Sequence, residues 1–127
     1  MRSAAFLLFI LAASPAFAKD IEKTVAAGES LKSIGYASIN PDCSSGGYPN
    51  VRIVAKPSNG ELTSAKGEMF PSYPKSNPRS SCNSKKVAAT MLEYQPKAGF
   101  TGTDSFAVQV IFPSGKEEKL KYNITVK

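Results

Sequence analysis

The sequence predicts an all-β fold, a sandwich of about seven short antiparallel strands closed by one disulfide. Three observations lead to it. Residues 105–112 and 119–126 alternate apolar and polar side chains with a period of two, the pattern of strands with one buried and one wet face. Clusters of Gly, Pro, Asn and Ser recur between the apolar runs, and such clusters mark chain reversals. Beyond the first 18 residues, no stretch of ten or more keeps the 3.6-residue repeat of an amphipathic helix.

Residues 1–18 read as a cleaved signal peptide. Arg2 gives a positive start, residues 4–13 an apolar run, Ser14-Pro15 a break, and Ala16-Phe17-Ala18 an A-x-A cleavage site. The run is shorter than the roughly 20 apolar residues that cross a bilayer. No later segment is apolar enough either, so no membrane span is expected. The leader holds one basic residue and no acidic one. Its removal turns a 127-residue chain of charge +6 into 109 residues, 19–127, of charge +5. That length fits a single domain, and the expected location is periplasmic or secreted.

The elements follow in order. Residues 21–25 alternate and read as a first strand, and residues 27–30 as a turn. Residues 31–39 carry apolar points at Ile34, Tyr36 and Ile39 and read as a strand bent at Gly35. Residues 40–50 read as a loop, interrupted by Pro41, Gly46, Gly47 and Pro49. Residues 51–55 read as a strand with Val51, Ile53 and Ala55 on one side and Arg52 and Val54 on the other. Pro57-Ser58-Asn59-Gly60 has strong turn chemistry. A short strand at 61–63 then completes a hairpin with 51–55. Residues 65–86 hold Pro71, Pro74 and Pro78 in a Ser/Asn/Lys background and read as a long loop, a length that is usually functional or disordered. Residues 87–94 resume strand character, 97–102 form a corner, 105–112 the best strand, 113–116 a turn, and 119–126 the last strand.

Cys43 and Cys82 are the only cysteines. In an exported chain an even pair reads as a disulfide. It closes a loop of about 40 residues, worth roughly 4 kcal/mol in the chain-entropy account. There is no Cys-x-x-Cys spacing for redox work and no second pair or His for zinc.

Three segments come in a recognisable order: Lys56-Pro57-Ser58-Asn59-Gly60-Glu61-Leu62, then Leu92-Glu93-Tyr94-Gln95-Pro96, then Gly99-Phe100-Thr101-Gly102-Thr103-Asp104-Ser105-Phe106. Together they resemble the bacterial Ig-like, cadherin-like domains that occur as tandem modules in large surface proteins and adhesins. The pattern there runs P-x-x-G-x-L, then Y-x-P-x-x-G-F-x-G-x-D-x-F. The resemblance covers residues 50–127 and implies an Ig-like sandwich with a role in adhesion, spacing or ligand binding. The residues have their own physical reading as a structural corner. Gly99 and Gly102 permit backbone that a Cβ penalises. Phe100 folds back as a plug, Asp104 accepts backbone N–H groups, and Tyr94 and Phe106 bound the corner on its two strands. The chain is expected to differ from the family in standing as one exported domain, and it differs in its Cys pair and long Pro-rich loop and in lacking the acidic clusters with which cadherin-like repeats ligate calcium. Asp20, Asp42 and Asp104 are far apart in sequence, so no metal is expected.

The chemistry points away from catalysis. The chain has no histidine, which removes Ser-His-Asp and Cys-His nucleophile systems and the usual neutral-pH base. Glu117 and Glu118 are strand neighbours that point to opposite faces, a poor glycosidase pair. Gly46-Gly47 and Gly99-x-x-Gly102 lack the following helix of a phosphate loop. No enzyme, no cofactor and no nucleic-acid partner are expected. The expected role is a binding module of the cell envelope for a protein or glycan. Its candidate loop holds Met69, Phe70, Tyr73 and Arg79, since aromatic and Arg side chains dominate binding hot spots. A second reading is attachment to anionic polysaccharide or lipid headgroups through a basic strip of Lys116, Lys119 and Lys121, with Lys85 and Lys86 beside it if the strands pair. Enzyme inhibition by the constrained loop is a third. The sequence does not specify the oligomeric state.

Overall fold

In the computed structural model, which describes Ala5 and residues 19–127, the strongest alternation of the sequence becomes the centre of the fold. Apart from Ala5, the signal peptide expected over 1–18 lies outside the described residues. The strands are β1 (Lys19–Val25), β2 (Leu31–Tyr36), β3 (Ser38–Ile39), β4 (Ser45–Gly47), β5 (Asn50–Ala55), β6 (Gly60–Met69), β7 (Val87–Pro96), β8 (Gly102–Ile111) and β9 (Glu117–Val126). A short 3-10 helix, Pro78–Ser84, lies between β6 and β7. One sheet has the order β1-β9-β8-β5, a second β2-β7-β6, and β3-β4 form a small third. The first two face each other in a β-sandwich-like arrangement. Among the described residues no helix is long and apolar enough to cross a membrane.

The hairpin β8–β9 pairs over its full length, with Phe106 opposite Tyr122 and Val108 opposite Leu120. These side chains, with Val110, Ile124 and Val126, are buried. From the other sheet, Leu31, Ile34, Leu62, Leu92 and Tyr94 close the same core. A stack of rings runs through it: Tyr94 lies against Phe106 and Phe106 against Tyr122. Tyr122 and Tyr36 share a hydroxyl–hydroxyl hydrogen bond, and burial raises the pKa of both phenols. Among the described residues no buried side-chain nitrogen or oxygen lacks a partner.

Several expectations are corrected. The strands are not all antiparallel: β1 runs parallel to β9, Lys19 beside Leu120 through Val25 beside Val126. Residues 51–63 do not form a hairpin, because β5 pairs with β8 and β6 with β7. The turn at 57–60 instead carries the chain from one sheet to the other. Turn chemistry reports a reversal, but it does not report which partner the next strand takes.

The strand placed at 61–63 extends over Gly60–Met69, in unbroken register with β7. It was hidden in the sequence because β6 is an edge strand, and Leu62 is its one buried side chain. The backbone ladder, not an apolar face, carries its second half. The long loop therefore shrinks to residues 70–86 and becomes the tip of the β6–β7 hairpin. The region 31–39 divides into β2 and β3, and the expected loop at 40–50 contains β4. A bulge at Val54 sets Ala55 opposite Ala107, whereas Ile53 sits opposite Val108. Ala55 is thus not on the side of Val51 and Ile53. Lys85 and Lys86 precede β7 in the other sheet and are not beside β9.

The strands give the sandwich two distinct ends. One carries the sheet-to-sheet turn 57–60 and the corner 97–101. The other carries the β3–β4 hairpin, residues 70–86 and the β8–β9 turn.

Candidate functional site

At the corner end, Asp104 organises the chain. Its Oδ1 accepts from Ser58 N at 3.0 Å and Ser105 N at 2.8 Å. Its Oδ2 accepts from Asn59 N at 2.9 Å and from the Tyr94 hydroxyl at 2.8 Å. Burial acts to raise the Asp104 pKa, but the bonds from Tyr94, Ser58, Asn59 and Ser105 outweigh it and hold the carboxyl below its ordinary range. Burial first, then the hydrogen bond and charge of Asp104, push the Tyr94 phenol up. Lys97 completes the clasp: its N donates to the Asn59 carbonyl at 2.9 Å and its Nζ to the Ser58 carbonyl at 3.2 Å. Gly99 and Gly102 take φ of +77° and +132°, and the Phe100 ring packs partly buried against the core. A depression of about 480 Å³ lies over this corner, lined by Glu22, Asn59, Asp104 and Asn123. Its carboxylates are already engaged: Asp104 as above, and Glu22 by Asn123 Nδ2 at 2.9 Å. The larger depression is thus the chemically quieter one.

The other end is tied down covalently. Cys43 and Cys82 form a disulfide with Cα atoms 5.4 Å apart. Cys82 is fully buried and nucleates a second small core with Ile39 and Val87, flanked by Met69 and Tyr73. Residues 70–86 are held at further points. The Asn77 side chain caps the 3-10 helix by accepting from Arg79 N at 2.8 Å. Asn83 grips the Tyr73 backbone twice, accepting from its N and donating to its carbonyl, each at 2.9 Å. Arg79 Nε donates to the Ile39 carbonyl at 2.9 Å.

These ties shape a shallow cleft of about 310 Å³ lined by Ser38, Ile39, Tyr73, Arg79, Phe112 and Lys116, among others. It joins parts of both candidate groups. Tyr73 and Arg79 of the loop meet Lys116 of the basic strip. Met69 turns into the small core instead. Phe70 is 54% exposed, with Lys86 Nζ 5.8 Å from its ring centre, and does not line the cleft. Lys119 and Lys121 are exposed on the outer face of the four-stranded sheet, and Lys121 lies beside Asp20 in the β1–β9 register. Lys116 makes an ion pair with Glu118 at 3.3 Å. Sequence reasoning missed Ser38, Ile39, Phe112 and Ser114. The Cys43–Cys82 pair is the signal that places residues near 39 against residues near 79; nothing in the sequence announces the β8–β9 turn as the third wall.

No protein-family model and no curated protein matches the chain. Among solved structures it is similar to the solution structure of amebosin, at 11% identity, over 87% of this chain and 98% of that one, with a TM-score of 0.43. A likeness that distant bears on neither fold nor function.

Proposed function

We propose that this chain is an exported, non-enzymatic Ig-like domain of the cell envelope that binds a protein or glycan partner through its tethered end. The observation that carries the reading is the cleft: Tyr73, Arg79 and Lys116 converge there from two separate segments. A disulfide and four hydrogen bonds between side chains and backbone, two of them on Tyr73, hold residues 70–86 in place before any ligand arrives. Pre-ordering of this kind lowers the entropic cost of binding. Sandwich folds with end loops of this type contact ligands through those loops. The signal-like leader and the disulfide support export, and the Tyr94–Asp104 corner supports the Ig-like assignment. A protein partner and a glycan partner both suit a cleft that mixes aromatic and cationic groups.

The test is retention of envelope components by the immobilised mature protein, compared with Tyr73→Ala and Phe70→Ala. The expected result is specific retention, lost in Tyr73→Ala. Equal retention by wild type and both variants, or none at all, contradicts the reading. A second reading has one observation in its favour, the exposure of Lys119 and Lys121 on a sheet face. Attachment through them to anionic polysaccharide or headgroups should weaken steeply with salt and should be lost in Lys119→Gln/Lys121→Gln.

A further inference from the structure

The cleft has a more specific chemistry than a generic contact surface. Arg79 Nε is committed to the Ile39 carbonyl, which fixes the plane of the guanidinium. Its terminal Nη groups make no hydrogen bond among the described residues. A fixed guanidinium fork matches the two oxygens of a carboxylate. Lys116 also lines the cleft, with its side chain 69% exposed. Glu118 engages that ammonium at 3.3 Å, and an ammonium has three N–H donors, so others remain for a ligand. Ser38 and Ser114 add hydroxyls that donate and accept, and the ring of Tyr73 adds an apolar wall. At about 310 Å³ the cleft is at the small end of ligand sites, which run from about 300 Å³ upward. It is open to solvent at the end of the sandwich, so it suits one projecting unit of a larger molecule.

Resting on the reading of this end as the binding end, we infer that the cleft receives the carboxylate of an acidic sugar, a uronate unit of a glycan. The pairing of two cations with two hydroxyls mirrors a ring that carries a carboxylate beside hydroxyls. A peptide carboxylate shares the charge but lacks the adjacent hydroxyls.

The experiment is a titration of the ¹⁵N-labelled mature protein with trigalacturonate, its methyl ester and a short peptide with a free C-terminal carboxylate, followed by amide shifts. Expected are saturable shifts with trigalacturonate at Ser38, Ile39, Arg79 and Ser114, and none with the ester. Arg79→Gln should weaken binding about tenfold and Lys116→Gln about threefold. Lys116 lies in an exposed turn, so its variant folds even if Arg79→Gln does not. Equal binding of the ester, tighter binding of the peptide than of the sugar, unchanged affinity in Lys116→Gln, or no localised shift with any probe each overturns the inference. If these probes fail while envelope components are still retained through Tyr73, the inference falls and the binding-module reading stands. If retention fails as well, both fall.

Discussion

The two ends of this sandwich are secured by opposite means. At the corner end a buried carboxylate accepts four hydrogen bonds from three segments of chain, and every group it touches is satisfied by it. At the tethered end a disulfide and a small core fix the backbone, while the side chains facing the cleft keep donors to offer. Saturated groups hold a fold together and have nothing left for a ligand. Donors held rigid but unsaturated are what recognition requires. The glycine-rich corner with its Asp, read in the sequence as architecture, spends its carboxylate on the chain itself. The Pro-rich stretch, the candidate binding loop of the sequence, frames the cleft with Tyr73 and Arg79 but not with Met69 or Phe70.

Breaking the corner should have the largest effect. Asp104→Ala leaves three backbone N–H groups and the Tyr94 hydroxyl without their acceptor. A loss of about 4 kcal/mol is expected in urea unfolding, a large share of the ~5–15 kcal/mol of a typical domain. The same group sets the acid limb. Its folded pKa is lowered, so its contribution is present above the ordinary Asp value of about 3.9 and disappears as pH falls through the folded value. Asp104→Asn should flatten that limb. Tyr94 has the opposite sign: its folded pKa is raised, so stability is full below the ordinary Tyr value of about 10 and declines as pH rises beyond it. Tyr94→Phe should reduce that alkaline decline.

Cutting the tether should cost less and act locally. Cys43→Ala/Cys82→Ala should lower stability by about 3 kcal/mol, below the chain-entropy figure because real crosslinks commonly deliver less than that account gives. Amide exchange should accelerate in residues 70–86 while β8 and β9 stay protected, because the main core contains neither cysteine. Uniform acceleration across the molecule contradicts the division into two ends. Gly99→Ala tests backbone conformation alone, since an added Cβ meets no atom within 4 Å while φ stays at +77°. It should cost about 1 kcal/mol by thermal unfolding. Phe70→Ala should change stability by less than about 0.5 kcal/mol, because the ring is 54% exposed.

How much of this is legible in the sequence follows from what each residue's environment imprints. Phe106, Val108, Val110 and Leu120, Tyr122, Ile124 each face a core, so their alternation declares β8 and β9 directly. Asp104 is readable because a short carboxylate after a Gly-rich turn has few partners but backbone N–H groups, although Ser58 and Asn59, far away in sequence, are not foreseeable as donors. The disulfide is readable from a signal-like leader and from the parity of the cysteines. β6 is readable only at 61–63; its continuation is not, since Ser64, Ala65 and Lys66 are exposed and pair through backbone, which carries no side-chain signature. The parallel pairing of β1 with β9 and the crossing at 57–60 depend on long-range partner choice, which local periodicity does not encode. The cleft is half legible: the Cys43–Cys82 pair brings Ser38 near Arg79, but only the fold adds Ser114 of the β8–β9 turn.

The most direct test of the difference between the two ends is amide hydrogen exchange on residues 19–127 with and without solubilised envelope material. The account expects slowed exchange confined to residues 37–39, 73–83 and 112–116, with residues 57–60 and 97–105 unchanged. Slowing at the corner instead, or no change at either end, contradicts it.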